Sequence, residues 1–416
     1  MTTFDINWVR SQFPALAMKV NGHAAAFFDG PGGTQVPWQV IETMRGYLAH
    51  SNANTHGAFA TSQRTDAVIA SAHAAMANLL GCDAEEIVFG PNMTSLTFAL
   101  SRAVGRELKP GDEIVVTRLD HDANVSPWTA LEERGCVIRF VDINPADCTL
   151  DMEEFRRMVT PRTRVVAVGY ASNSVGTIND IREVVRLAHN VGAMAYIDAV
   201  HYAPHGPIDV RSLDCDFLVC SPYKFFGPHS GVLYGKREHL LRLHPYKVRP
   251  ATDSLPGRWE TGTQSHESMA GVTAAVEYLA ELGRRHSPEA HDQRAALLAA
   301  HRAIHAYEHG LLRQLVPALL VIPGLTFYGI AEPARFQHRV PTVAVRMAGR
   351  SPREMTAYLG ERGMFAWDGN YYALNLSERL GVEPDGGMLR IGLVHYNTAE
   401  EVDRLLAALR DLAPRK

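Results

Sequence analysis

Two oppositely charged residues stand at the ends of apolar runs in this 416-residue sequence. Asp198 closes "AMAYID", and His201 follows it in "DAVH". Lys224 comes just after the next run, "DFLVCS", within "CSPYKFFGPHSG". A carboxylate and a lysine at the ends of adjacent parallel strands can face one pocket. Burial there would lower the lysine's pKa and free its amine to attack a carbonyl. The bland alternative is an aspartate that caps a helix and a lysine that snorkels to water. Position alone leaves both readings open. A Schiff base with pyridoxal phosphate (PLP) requires the first, together with an acid that keeps the pyridine nitrogen protonated.

Three further stretches sit just past apolar runs. "FGPNMTSLTFAL" places Asn92, Met93 and Thr94 at the start of an apolar helix, and helix N-termini bind phosphate through free N–H groups. "RLDHDANVSPW" puts His121 after a strand, and "GYASNSVGTIND" puts Asn173 after "RVVAVG". Taken singly, these are a cap, a surface histidine and a turn asparagine. Their shared place past strand ends is harder to dismiss.

The elements that must hold these residues are legible from about residue 85 to 235. The runs "EIVFG", "DEIVVT", "CVIRFVDI", "RVVAVGYA", "AMAYIDAV", "DFLVCS" and "GVLYG" alternate with helix-like stretches such as "SPWTALEERG" and "DIREVVRLAHNVG". Continuous Val/Ile-rich runs predict strands buried on both faces. The alternation predicts a mainly parallel sheet wrapped by helices, with ligands at the carboxyl ends of its strands. Near 265 the texture changes. "ESMAGVTAAVEYLAEL" and "RAALLAAHRAIHAYEHGLLRQL" read as consecutive helices, followed by the short runs "LTFYG", "TVAVRM", "MFAW" and "MLRIGL". "SPRE" (Ser351 to Glu354) and "TAEE" (Thr398 to Glu401) are capping boxes. The expected division is a large domain over residues 22–265, which the resemblance described below makes the PLP-binding one, and a small α+β domain made of 1–21 and 266–416.

Composition excludes some partners. Formal net charge is −4, with 46% hydrophobic and 21% charged residues, so neither a nucleic-acid partner nor a membrane is expected. The five cysteines, Cys82, Cys136, Cys148, Cys215 and Cys220, form no CxxC pair and suggest no metal site. Free thiols in a reducing, cytoplasmic setting are the expectation. "MTTFDINWVRSQFPAL" lacks the pattern of a signal peptide, and the longest apolar stretch, "LLRQLVPALLVIPGL", is interrupted by Arg313, Gln314 and two prolines.

The order of motifs resembles the class V aminotransferase family of fold-type I PLP-dependent enzymes, the group containing cysteine desulfurases and selenocysteine lyases. The matching pieces are "FFDGPGGTQVP", "NANTHGAFA", "GPNMTSLTFAL", "DHDANVSPW", "ASNSVGTIND", "YIDAVHYAPHGPIDV", "SPYKFFGPHSG", "WETGTQS" and "LRIGLVHYNTAEEVDRLL". They run from about residue 25 to 410. The resemblance implies an α/β fold, a large domain with a mainly parallel seven-stranded sheet and a smaller α+β C-terminal domain. It implies that Lys224 forms the Schiff base and then moves protons. Asp198 would bind the pyridinium nitrogen, and His121 would stack on the ring and act as acid or base. Asn173 and His201 would lie near the phenolic oxygen. Asn92, Met93, Thr94, Ser221 and Tyr223 would hold the phosphate. Thr263 would reach the phosphate of a neighbouring subunit, which implies a homodimer. Arg390 would clamp the carboxylate of a small amino-acid substrate, with His56 and Asn54 on the substrate side.

One part departs from the family pattern. Desulfurases carry a reactive cysteine on a loop before the carboxylate arginine. Here that loop, "MFAWDGNYYALNLSERLG", contains no cysteine, and the matching position falls near Tyr372. It is aromatic and acidic instead, with Trp367, Asp368, Tyr371 and Tyr372. Trp367 and Tyr372 are expected to shape a pocket for a larger or different substrate; the alternative is that "YYALNL" starts a packed helix. A persulfide relay needs a thiolate. The expected activity is therefore a desulfurase-like C–S/C–Se or β-lyase acting through an external aldimine. The alternatives are a class V aminotransferase or an amino-acid epimerase, and, in a different class, a PLP-binding protein without turnover.

Overall fold

In the computed structural model, which describes residues 4–414, each of the seven apolar runs is a strand. They are β1 (Ile87–Gly90), β2 (Glu113–Thr117), β3 (Val137–Val141), β4 (Thr163–Gly169), β5 (Met194–Asp198), β6 (Phe217–Cys220) and β7 (Gly231–Gly235). They form one sheet in the order β1-β7-β6-β5-β4-β2-β3. All neighbours are parallel except β7, which runs antiparallel to β6 and β1. The reason is length. The β6–β7 connection, residues 221–230, is shorter than the dozen or so residues a parallel crossover needs. That short connection carries Lys224.

Both sheet faces are covered. On one, Val166, Ile197 and Leu218 share a core with Met269, Val272, Leu297 and Ile304. On the other, Val116, Tyr196 and Val219 pack with Leu96, Leu100 and Trp128. Helix α1 (Ala60–Leu80) belongs to the first layer, and α2 (Met93–Gly105) to the second. Helix α3 (Ile181–His189) is capped by Asp180, whose side chain accepts the Glu183 N–H. The two helices read from the sequence are α4 (His266–His286) and α5 (Gln293–Leu320).

A second sheet follows: β8 (Leu325–Tyr328), β9 (Thr342–Met347), β10 (Trp367–Gly369) and β11 (Met388–Gly392), in the order β8-β9-β11-β10 and antiparallel throughout. Its core joins Val343, Val345, Leu389 and Ile391 to Leu312, Leu315, Leu405 and Leu409. Helix α5 therefore serves two cores, with Leu297 in the first and Leu312 in the second. Each is fully buried, and such a side chain contributes roughly 1.5–3 kcal/mol. This fixes the small sheet against the large one. Both expected capping boxes form, at Ser351/Glu354 and Thr398/Glu401.

"SPWTALEERG" differs from its reading as one helix. It is a single α turn (Ser126–Thr129) followed by a 3-10 turn (Ala130–Arg134) that ends on left-handed Gly135. Among the described residues, no helix is long and apolar enough to cross a membrane.

Candidate active site

A cavity of about 990 Å³ opens where the carboxyl edge of the large sheet meets the small one. The connections after β2, β4, β5 and β6 supply His121, Asn173, His201, Tyr223 and Lys224, and Asp198 is the last residue of β5. Trp367, Tyr371, Tyr372 and Arg390 come from the small sheet and its loop.

Lys224 is 8% exposed. Its Nζ donates to the Pro31 carbonyl and lies 4.8 Å from the centroid of the Tyr223 ring. Burial, and then the charge of Arg390, pull its pKa down to about 7, against the pull of Asp198 and Asp29. Asp198 is 7% exposed, and its Oδ1 accepts the Val200 N–H at 2.9 Å. Burial pushes its pKa up to about 6; the Val200 N–H and Lys224 oppose that shift. Amine and carboxylate thus line one cavity beyond the ends of neighbouring strands, each with its charge held weakly.

His121 is held by its own loop. Its Nδ1 accepts the Ala123 N–H at 3.0 Å, so the proton of the neutral ring is assigned to Nε2. Burial, then Lys224 and Arg390, lower its pKa to about 4. Tyr372 stacks on it, with ring centroids 5.4 Å apart at 25°. His201 is buried, and its Nε2 meets Thr342 Oγ1 at 3.0 Å.

Arg390 lies between Ala344 of β9 and Trp367 of β10. It donates to the Asn173 carbonyl at 2.9 Å, and its guanidinium sits 4.1 Å from the Tyr371 ring centroid. Burial lowers its pKa to about 10. The aromatic loop is tied down on both sides. Asn173 Nδ2 donates to the Tyr371 carbonyl, the Asp122 N–H donates to the Tyr372 carbonyl, and the Tyr371 hydroxyl donates to the Met388 carbonyl. Tyr371 and Tyr372 adopt φ of 57° and 59°, a left-handed conformation that side chains disfavour.

The residues fit PLP. An amine and a carboxylate face one cavity, and the first turn of α2 (Met93, Thr94) lies on its wall. Asn92 caps that turn by accepting the Ser95 N–H at 2.8 Å. A Cβ on Gly231 would stand 2.3 Å from the Asn92 carbonyl carbon, so β7 approaches the helix start as closely as a backbone can. Buried acceptors await a partner: Asn173 Oδ1 and the fully buried Ser221 Oγ have none. The turn Gly30–Gly32 is wedged in from the other side. Gly392 of β11 abuts Pro31, where a Cβ would sit 2.0 Å from the ring.

Not every expected residue reaches the cavity. Asn92 and Ser221 flank it without lining it. Asn54, His56 and Thr263 are exposed and lie off its wall, and His56 Nδ1 is 3.5 Å from Asp66. Some carboxylates in and beside the cavity were not anticipated, Asp29 and Asp120 among them. Burial pushes Asp29 up to about 6, and its Oδ1 lacks a partner. Asp120, beside His121, accepts from Thr117 Oγ1 at 2.6 Å and is pushed up to about 7. The one available signal was Asp29's place inside "FFDGPGG".

Comparison with known proteins agrees with the fold. The Aminotransferase class-V family model matches residues 26–405. The chain belongs to the class V aminotransferase family. It is a family of PLP-dependent enzymes, and the relatives this chain resembles include cysteine desulfurases. A cysteine desulfurase of Synechococcus elongatus is 33% identical over 98% of this chain, but the chain spans only 63% of that protein's length. One from Pectobacterium carotovorum is 32% identical, covering 98% of both chains. The apo structure of a cysteine desulfurase from Thermococcus onnurineus superposes with a TM-score of 0.87 at 25% identity, covering 99% of each chain.

Proposed function

We propose that this class V member is a PLP-dependent lyase for amino acids bearing sulfur or selenium on Cβ. It releases that substituent into solution and not onto a protein thiol. One observation carries the reading: the cavity pairs Lys224 with Asp198 yet holds no cysteine. Each of the five thiols is pushed up in pKa by burial; Cys148, for instance, reaches about 12. None is poised as the thiolate that a persulfide needs.

When bound, PLP supplies a carbonyl for the substrate amine and a ring that draws electrons from Cα. Lys224 would hold it covalently, Asp198 its ring nitrogen, the first turn of α2 its phosphate, and His121 its face. The low pKa of Lys224 leaves a large share of its amines uncharged near pH 7, so Nζ can take the Cα proton and return it. Arg390 would orient the substrate carboxylate with two N–H donors. His121, neutral with its proton on Nε2, can donate a hydrogen bond to the departing sulfur, and the Lys224 ammonium formed by taking the Cα proton can supply that sulfur's proton. Loss of the Cα proton and of the Cβ–S bond, followed by addition of water, gives a keto acid, ammonia and the thiol. Trp367 and Tyr372 would shape the pocket for a substituent larger than a thiol. A homodimer in which Thr263 reaches the neighbouring site belongs to the same proposal, as does a cytoplasmic setting.

The test incubates holoenzyme with cysteine, selenocysteine and S-substituted cysteines. Keto acid, ammonia and thiol or selenide should form in equal amounts, with no mass increase on the protein. A persulfide on any cysteine overturns the lyase reading. Keto acid without sulfur release points to an aminotransferase, and spectral binding without any product points to a non-catalytic protein.

A further inference from the structure

A second cavity, of about 230 Å³, lies at the seam between the start of α3 and the middle of α5. Asn179 lines both cavities. The link to the first cavity continues through His205, whose ring meets that of His201 edge-on, 5.4 Å between centroids at 74°.

Its wall holds polar atoms without partners. His309 is 7% exposed, and its Nε2 makes no hydrogen bond. Glu308 is 1% exposed; its Oε2 meets His205 Nδ1 at 2.8 Å, while Oε1 lacks a partner. The His395 backbone N–H and the Tyr307 hydroxyl also face this carboxylate, and a carboxylate oxygen accepts more than one donor. Such buried orphans are uncommon in folded proteins and call for an occupant.

The charge of the wall says which kind. Arg339 is fully buried, and its bonds run only to backbone carbonyls, those of Ile330, Val175 and Thr342 among them. Arg182 donates to Ser212. Among the described residues, neither guanidinium has a carboxylate partner. Against them stand Asp180, engaged in capping α3, and Glu308, paired with His205. The first-turn N–H groups of α3 add positive potential. Burial, together with the charges of His305, Arg313 and Arg339, holds His309 down at about 4, so at neutral pH its ring is an uncharged donor.

We propose that this seam cavity binds a small oxyanion that still carries a proton, of the hydrogen-phosphate type. Its oxygens accept from His309 Nε2–H and from the start of α3, and its own O–H donates to Glu308 Oε1. An oxyanion without a proton sets acceptor against acceptor at Glu308 and is rejected. The site stands apart from the lyase reading, since nothing in it depends on Lys224.

Titration calorimetry of the holoenzyme with inorganic phosphate and with inorganic sulfate tests this, while the cofactor spectrum is followed. Phosphate should bind once per chain without changing that spectrum, and sulfate should bind at least about ten-fold more weakly. His309→Ala should weaken phosphate about ten-fold. Glu308→Gln, which offers a donor in place of an acceptor, should bring sulfate level with phosphate. Should Glu308→Gln fail to fold, His309→Gln replaces it as a second probe of the phosphate contact. Equal affinity for the two ions, phosphate binding untouched by His309→Ala, or no heat with phosphate each overturns the site.

Discussion

The Arg390 guanidinium lies under the ring of Tyr371, 4.1 Å from its centroid. The ring is held there by its hydroxyl on the Met388 carbonyl and by Asn173 Nδ2 on its backbone oxygen. Asn173 in turn accepts from Arg390. Arginine, tyrosine and asparagine therefore form one closed circuit. The cation faces a cavity with no carboxylate salt-bridged to it. In the proposed function, a cation desolvated this way would receive the substrate carboxylate.

Replacing Arg390 by Ala should raise KM for the amino acid by about ten- to 150-fold, the loss of charged hydrogen bonds worth roughly 1.5–3 kcal/mol. Retention of PLP through gel filtration should be unchanged. Steady-state kinetics decides; an unaltered KM moves the carboxylate clamp elsewhere.

The low pKa of Lys224 sets a pH profile. Below about 7 the side chain is an ammonium and cannot attack a carbonyl; above it the amine is free. Apo-protein should therefore take up PLP faster as pH rises through about 7 and then level off. An ordinary lysine, titrating near 10.4, would keep accelerating. Stopped-flow absorbance reads the rate, and Lys224→Ala should never develop the colour of the lysine-bound cofactor. An unchanged spectrum in that variant refutes the assignment.

Gly231→Ala probes the proposed phosphate cradle. Its Cβ would meet backbone atoms of Asn92 and Met93 at 2.3 to 2.6 Å, so the start of α2 must shift. We expect the equilibrium affinity for PLP to fall about ten-fold or more, since misaligned N–H donors lose roughly 1.4 kcal/mol readily. Fluorescence titration of apo-protein measures it.

Tyr372 is 72% exposed and left-handed. Glycine tolerates that conformation, so Tyr372→Gly should relieve strain and leave stability level or raised by up to about 1 kcal/mol. Losing the stack on His121 should lower kcat/KM at the same time. Thermal melts should hold level or rise while kcat/KM falls; a large loss of stability would mean the ring is a packing element.

The large sheet was readable because strands buried on both faces leave continuous Val/Ile runs. Lys224 and Asp198 were readable because charge at the end of such a run is conspicuous. Asp29 and Asp120 were not, since their burial is decided by segments far away in sequence: Gly392 meets the Asp29–Gly33 turn, and Gly169 donates to Asp120. The Tyr371 ring over Arg390 was hidden for the same reason, and because nothing in "GNYYAL" announces two left-handed residues in a row. "SPWTALEERG" carried a helical pattern, but after one α turn the backbone tightens to a 3-10 turn, a change that side-chain periodicity does not encode.

Gly392 leaves no slack against Pro31, and the oxygen of that proline tethers the Lys224 amine. Arg390 sits two residues earlier on the same strand. The turn whose oxygen steadies the Lys224 amine is thus keyed in place by the same strand that presents Arg390.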